Sequence, residues 1–276
     1  MASARIVQHP AIPAPAGSGS AGIAGSHALL RNVGLFGEAM DAAMHRHLHL
    51  PGLVVFHGPS GYGKTFSATF AANAHRAYYV EARSAWTKRA LCLGILREIG
   101  IEPAQRVYEM VSQIAEHLAG AGRPLILDEA DHILQAGAIE IVRDIHEASG
   151  AVIALIGEER LPAKLRAVER VHNRVIQWVG AVPCDTQDAA LLARLYVPGI
   201  AVADDLMDQV VRASDGGARR ICINLQDIAE DAKRRPADVL DAAWWGGRAL
   251  MTGRVEPRTT FLPNSTPAAR KLGGAR

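Results

Sequence analysis

The sequence predicts an α/β fold, a parallel β-sheet flanked by helices and followed by a small three-helix domain. Three observations carry this expectation. From Phe36 to Val179, short apolar runs alternate with amphipathic stretches, the pattern of a parallel sheet covered on both faces. The first run, "LVVFHG" (Leu53–Gly58), opens the glycine-rich segment "GPSGYGKT" (Gly58–Thr65), and a helical stretch comes directly after it. Beyond Pro183 no strand-like run remains, and three amphipathic stretches complete the folded part.

Residues 1–26 ("HPAIPAPAGSGSAGIAGS" and its flanks) are rich in Ala, Pro, Gly and Ser, cannot bury enough apolar surface to order themselves, and read as a flexible tail. Residues 35–48 read as a helix, 53–58 as a buried strand, 64–77 as a helix and 77–82 as a second strand. The stretch 85–100 carries Leu91, Ile95 and Ile99 on one helical face and stops at Gly100 and Pro103. A helix over 104–119 precedes the strand "PLILDEA". The next helix, 138–149, turns Ile139, Val142 and Ile145 inward. "AVIALIG" and "RVIQWV" are strands, separated by the partly helical 159–171. Residues 186–197, 203–214 and 217–235 are the three amphipathic helices, the last with the stripe Ile221, Leu225 and Ile228. The expected division is therefore a core domain over 27–183, a helical domain over 184–245 and a basic, flexible C-terminal tail over 246–276.

Composition narrows the class. The chain has 276 residues, 49% of them apolar and only 5% aromatic, so an aliphatic core of one large domain plus a small one is expected. A net charge of +2 creates no global field for a polyanion, although both ends are mildly basic. Cys92, Cys184 and Cys222 are far apart and fit no metal-ligand spacing. The sequence shows neither an apolar run of membrane-spanning length nor a signal-peptide pattern, so a soluble cytoplasmic protein with no membrane partner is expected.

"GPSGYGKT" has the composition of a loop that wraps phosphates. Gly58 and Gly63 let the backbone fold tightly with its N–H groups inward, Lys64 brings a cation to the β- and γ-phosphates, and Thr65 offers a hydroxyl to Mg²⁺. Gly58, Pro59, Ser60, Gly61, Tyr62, Gly63, Lys64, Thr65 and Phe66 are the expected contacts for a nucleoside triphosphate, with ATP and Mg²⁺ as cofactors. In "LILDEAD" (Leu125–Asp131), Asp128 ends a buried strand, where a carboxylate is costly unless it meets a cation. Asp128 is placed to hold Mg²⁺ and Glu129 to polarise an attacking water, a pairing that favours hydrolysis over transfer to a substrate hydroxyl. Arg166, Arg170 and Arg174 precede the last strand, and Arg219 and Arg220 open the last helix. An arginine near a γ-phosphate stabilises charge developing there.

Taken together, the phosphate loop, "LILDEAD", "AVIALIG", Arg174 and "GGARRICINLQ" resemble an AAA+ ATPase over residues 30–235. Within that class, "DEADHILQAGAIEIVRDIHEASGAVIALIGEERLPAKL", and Arg143–Gly150 in particular, is similar to the transposition ATPases typified by phage Mu B protein, TnsC and TniB. The resemblance implies an ATP-dependent protein that oligomerises on double-stranded target DNA without sequence preference and delivers it to a DDE transposase. A helicase or clamp loader sharing the same core, or an ATP-switched scaffold with slow hydrolysis, is the alternative.

The resemblance further implies Asp128 as the Walker B metal ligand, Glu129 as the catalytic acid, Arg174 as a finger reaching the next subunit, and Arg219 as the arginine of the helical lid, with Arg170 and Arg220 as further finger candidates. Two features depart from the family. Glu158 stands at the sensor-1 position, where Asn, Ser or Thr is usual, and a carboxylate there repels phosphate unless it is paired or neutral. In addition, no helix-turn-helix precedes the first strand, so DNA contact is expected from Thr87, Lys88 and Arg89 at the start of a helix, assisted by the basic tail.

Overall fold

The computed structural model describes residues 28–47 and 49–253. Helix α1 (Arg31–Met44) precedes β1 (Leu53–His57), α2 (Lys64–Ala74), β2 (Tyr78–Glu81), α3 (Lys88–Ile99), α4 (Val107–Ala121), β3 (Leu125–Asp128), α5 (Ala130–Gln135), α6 (Ile139–Ser149), β4 (Ile153–Gly157), α7 (Leu161–Arg166), α8 (Glu169–His172) and β5 (Val175–Gly180). The five strands form one parallel sheet in the order β2-β3-β4-β1-β5.

Alternation along β1 explains the layers. Leu53 and Val55 join the core beneath α3, α4 and α6, whereas Val54 and Phe56 join the core beneath α1 and α2. All four are fully buried, as a strand covered on both faces requires. On the second face Phe36 of α1 stacks on Phe56 with ring centroids 4.9 Å apart. Because the strands are parallel, their C-terminal ends share one edge, and His57, Asp128 and Gly157 arrive there together.

The second lobe contains α9 (Thr186–Tyr196), β6 (Ala201–Val202), α10 (Asp204–Ala213), α11 (Ala218–Arg234), β7 (Val239–Leu240) and α12 (Ala242–Trp245). Its core gathers Leu206, Ile221, Leu225 and Ile228, and also Ala28 and Leu30 just before α1 and Val33 in its first turn.

Three differences from the sequence reading have local causes. Strands do not stop at Pro183: β6 and β7 form a short parallel pair that joins the two ends of the α10–α11 unit. Helix α1 begins at Arg31 rather than residue 35, because its first turn is fixed by contacts with distant segments rather than by apolar periodicity. The chain from Gly246 to Gly253 lies on the second lobe instead of leaving it. There the buried Asn224 donates to the Met251 carbonyl at 3.1 Å and accepts from its N–H at 2.6 Å. The expected tails over 1–26 and beyond Gly253 lie outside the described residues.

His146 of α6 ties the N-terminal edge of the sheet together. Its Nδ1 donates to the Ala151 carbonyl (2.8 Å) and its Nε2 accepts from the Gly52 N–H (3.2 Å), a pattern that needs the neutral ring. Burial, assisted by Arg46 and Arg174, holds its pKa below the ordinary value against the pull of the Ala151 bond and Glu147. A histidine depressed in this way adds stability that is complete above its unfolded pKa of about 6.5 and is lost as the pH falls through the folded value. Urea unfolding of the wild type should show this loss below about pH 6.5, and His146→Gln should flatten the pH dependence. An identical slope in the variant would assign the effect to another group.

Candidate nucleotide site

Gly61 and Gly63 both have φ near +85°, and Gly63 is the N-cap of α2, so the turn into the helix needs residues without a Cβ. Lys64 and Thr65 therefore open α2, at its positive end. Lys64 Nζ donates to the carbonyls of Gly58 (2.7 Å) and Pro59 (2.9 Å), which folds the side chain across the loop. Burial pulls its pKa below the ordinary value, against the opposing pull of Asp128, Glu129, Glu158 and Asp131.

Asp128 is buried at the end of β3, and both of its oxygens are occupied. Oδ1 accepts from the Glu129 N–H at 2.8 Å and Oδ2 from the Tyr79 hydroxyl at 2.8 Å. Glu129 is the N-cap of α5 and sits at φ 55°, a left-handed conformation that costs a non-glycine residue about 1–2 kcal/mol. Such strain is concentrated at functional sites. Burial, and secondarily the Asp128 charge, raise the Glu129 pKa.

Asp131, in the first turn of α5, was not among the candidates from sequence. It is buried and accepts from the Glu158 N–H (2.7 Å) and from Lys164 Nζ (2.5 Å). It thereby fixes the backbone at the end of β4, while the Glu158 side chain remains exposed along the cavity.

The two lobes enclose a cavity of about 420 Å³. Ser60, Gly61, Gly63, Lys64, Thr65, Asp128, Glu129, Glu158 and Arg219 line its polar end. Sequence reasoning missed the apolar end, formed by Ala28, Leu30, Leu192, Leu195, Tyr196 and Cys222. These residues come from three separated segments, and their spacing reads only as core. Arg219 is held by its backbone, whose N–H donates to the Gly61 carbonyl at 3.1 Å. The donors facing the cavity from Thr65 and Asp128 are oxygens, the set a hard divalent cation prefers, so these residues fit Mg²⁺.

The other candidates fall elsewhere. The Arg174 carbonyl accepts from the Leu53 N–H, so Arg174 lies at the opposite end of β1 from the phosphate loop, roughly 13 Å away at about 3.3 Å per residue. Its guanidinium pairs with Glu147. Arg166 and Arg170 are exposed on α7 and α8. Arg220 points away from the cavity and donates to the Ser214 carbonyl at 2.7 Å. Thr87 is the N-cap of α3, its Oγ1 accepting from the Ala90 N–H at 3.3 Å. Arg89 donates to the Gln105 carbonyl, and Lys88 is exposed beside it. No helix among the described residues is long and apolar enough to cross a membrane.

A family model described as an AAA domain matches residues 46–165. No curated protein matches the sequence. Among solved structures, the fold is similar to the Aeropyrum pernix ORC2 protein in ADPNP and ADP complexes (TM-score 0.60, 18% identity, 75% of this chain and 65% of that one). It is also similar to the Aeropyrum pernix ORC1 protein in complex with DNA (TM-score 0.56, 18% identity, 78% and 64%). A third similar structure is Thermotoga maritima RuvB (TM-score 0.55, 15% identity, 78% and 68%). The chain spans just under two thirds of the length of the two Aeropyrum proteins. The fold is that of the AAA+ P-loop NTPases.

Gly157 shows how closely the site is built. A Cβ there would lie 2.4 Å from Asp131 Oδ2 and 2.8 Å from Leu161 Cδ2. Asp131 is held by two bonds and cannot retreat without losing one. Gly157→Ala should therefore cost about 2 kcal/mol in urea unfolding, in the range of overpacked cores. A loss below about 0.5 kcal/mol would show that the neighbours yield.

Proposed function

We propose that the protein is an ATP-hydrolysing AAA+ ATPase that assembles on DNA in an ATP-dependent manner. The observation that carries this reading is the cavity in which Lys64, Thr65, Asp128, Glu129 and Arg219 meet. On this reading the apolar end takes the base, and the loop N–H groups with Lys64 take the phosphates. Thr65 and Asp128 hold Mg²⁺, which supplies charge neutralisation at the phosphates when bound. Glu129 orients the attacking water and accepts its proton, and Arg219 stabilises charge at the γ-phosphate from the helical lobe.

Arg174 cannot serve the cavity of its own chain from the far end of β1, and the resemblance to the AAA+ ATPases supports a role as a finger offered to a second copy. Its pair with Glu147 is more than a third exposed on both sides, and such pairs are worth about 0–1 kcal/mol, so exchanging Glu147 for a neighbour's nucleotide costs little. Arg170 is exposed on α8, whereas the bond of Arg220 to Ser214 favours a structural role.

DNA contact is assigned to Lys88 and Arg89 at the start of α3. Thr87 contributes chiefly as the cap that orders them. Contacts of this kind are made to the phosphate backbone, which makes them salt-dependent and nearly indifferent to sequence. The finer reading, delivery of target DNA to a DDE transposase, is supported by the resemblance of residues 128–165 to the transposition ATPases.

Duplex-DNA binding and electron microscopy should show oligomers on DNA with ATP and none with ADP. Lys64→Ala should lose them, and Glu129→Gln should prolong them. ATP-independent monomers that ignore DNA would end the reading. A Lys88→Ala/Arg89→Ala protein that binds DNA normally would move the contact elsewhere.

A further inference from the structure

Tyr79 lies on β2, outside every segment that the phosphate chemistry singles out, and in register with Ile126 of β3. Its hydroxyl is nevertheless 2.8 Å from Asp128 Oδ2. The other oxygen of Asp128 is held by the adjoining Glu129 N–H, so the phenol is the one donor among the described residues that grips this carboxylate from a separate element. The Tyr79 ring is half-buried against the α1–α2 layer, and its backbone N–H donates to Glu98 Oε1 at 3.3 Å. Ring and strand are thus fixed independently of the hydroxyl. Burial and the nearby Asp128 charge raise the phenol pKa, which keeps it a neutral donor.

We propose that Tyr79 is a positioning residue that orients the Asp128 carboxylate toward the magnesium ion of the bound nucleotide. The inference rests on the reading of Asp128 as the metal-side carboxylate. With both oxygens engaged, rotation of the carboxylate would break one of two hydrogen bonds, so Asp128 presents one fixed edge to the cavity before any nucleotide arrives. Partners of this kind orient a metal's ligands, and their loss typically weakens metal affinity about 10–100-fold. A purely structural role for the hydroxyl would instead change stability and leave the response to Mg²⁺ untouched.

The test titrates Mg²⁺ into full-length protein with a fluorescent ATP analogue, following binding rather than turnover, for wild type, Tyr79→Phe and Asp128→Asn. Phenylalanine keeps the ring and its packing. Tyr79→Phe should raise the Mg²⁺ concentration for half-maximal binding on the order of 10-fold, with affinity in EDTA unchanged within about twofold. Asp128→Asn should shift it at least as far. If Asp128→Asn shifts and Tyr79→Phe does not, the positioning role is overturned while the reading of Asp128 stands, whatever the melting temperature does. If Asp128→Asn titrates like wild type, the metal reading of Asp128 falls and the role of Tyr79 falls with it.

Discussion

Asn32, buried at the start of α1, gives its whole side chain to backbone groups of other segments. Its amide donates to the carbonyls of Tyr62 (2.8 Å) and Val182 (2.9 Å), and its oxygen accepts from the Val182 N–H (2.9 Å). One residue thus joins α1, the phosphate loop and the connection between the lobes. Its neighbour Arg31 continues the junction, donating from both backbone and side chain to the buried carboxylate of Asp188 on α9. Hydrogen bonds to charged groups are worth about 1.5–3 kcal/mol each, and a buried partner left unmatched costs as much. The junction is therefore a strong determinant of where the second lobe sits. The cavity depends on that placement, because Arg219 and the apolar wall from α9 belong to one lobe and the phosphate loop to the other.

The same logic of satisfied buried charge organises the other side of the site. Asp128 and Asp131 flank Glu129 in sequence, and both are buried with both oxygens occupied. Tyr79 and the Glu129 N–H hold the first, and Lys164 and the Glu158 N–H hold the second. Glu129, between them, lines the cavity on a strained backbone that its fixed neighbours can sustain. Backbone strain, burial and a raised pKa therefore coincide on the residue proposed to receive a proton.

Much of the fold was legible because its signals are local. Five apolar runs, a glycine-rich turn and the break near Pro183 mark the sheet, the loop and the lobe boundary within windows of a few residues. The polar end of the cavity was legible for the same reason, since Lys64 and Thr65, and Asp128 and Glu129, are sequence neighbours. The apolar end was not, because Leu30, Leu192 and Tyr196 carry no pattern distinguishing a ligand wall from a core stripe. Asn32, Tyr79 and Asp131 were missed for a related reason. Each acts on a group 27 or more residues away, and only the packing of α1, β2 and α5 brings the partners within hydrogen-bond reach. The short β6–β7 pair is two residues a side, below the length at which alternation can be read.

Charge balance at the cavity bears on the proposal that a second copy completes the site. Among its lining residues, Asp128, Glu129 and Glu158 face Lys64 and Arg219, so the acids already outnumber the bases. A triphosphate adds several further negative charges, and charge that develops at the γ-phosphate needs a cation close by. Mg²⁺ supplies part of this. The Glu158 carboxylate at the end of β4 works in the opposite direction, since it repels phosphate unless a cation approaches it. Within this chain Arg174 sits at the other end of the sheet, and neither Arg166 nor Arg170 lines the cavity. On the proposed reading, a guanidinium from a second copy, released from a weak surface pair, would meet both needs at once.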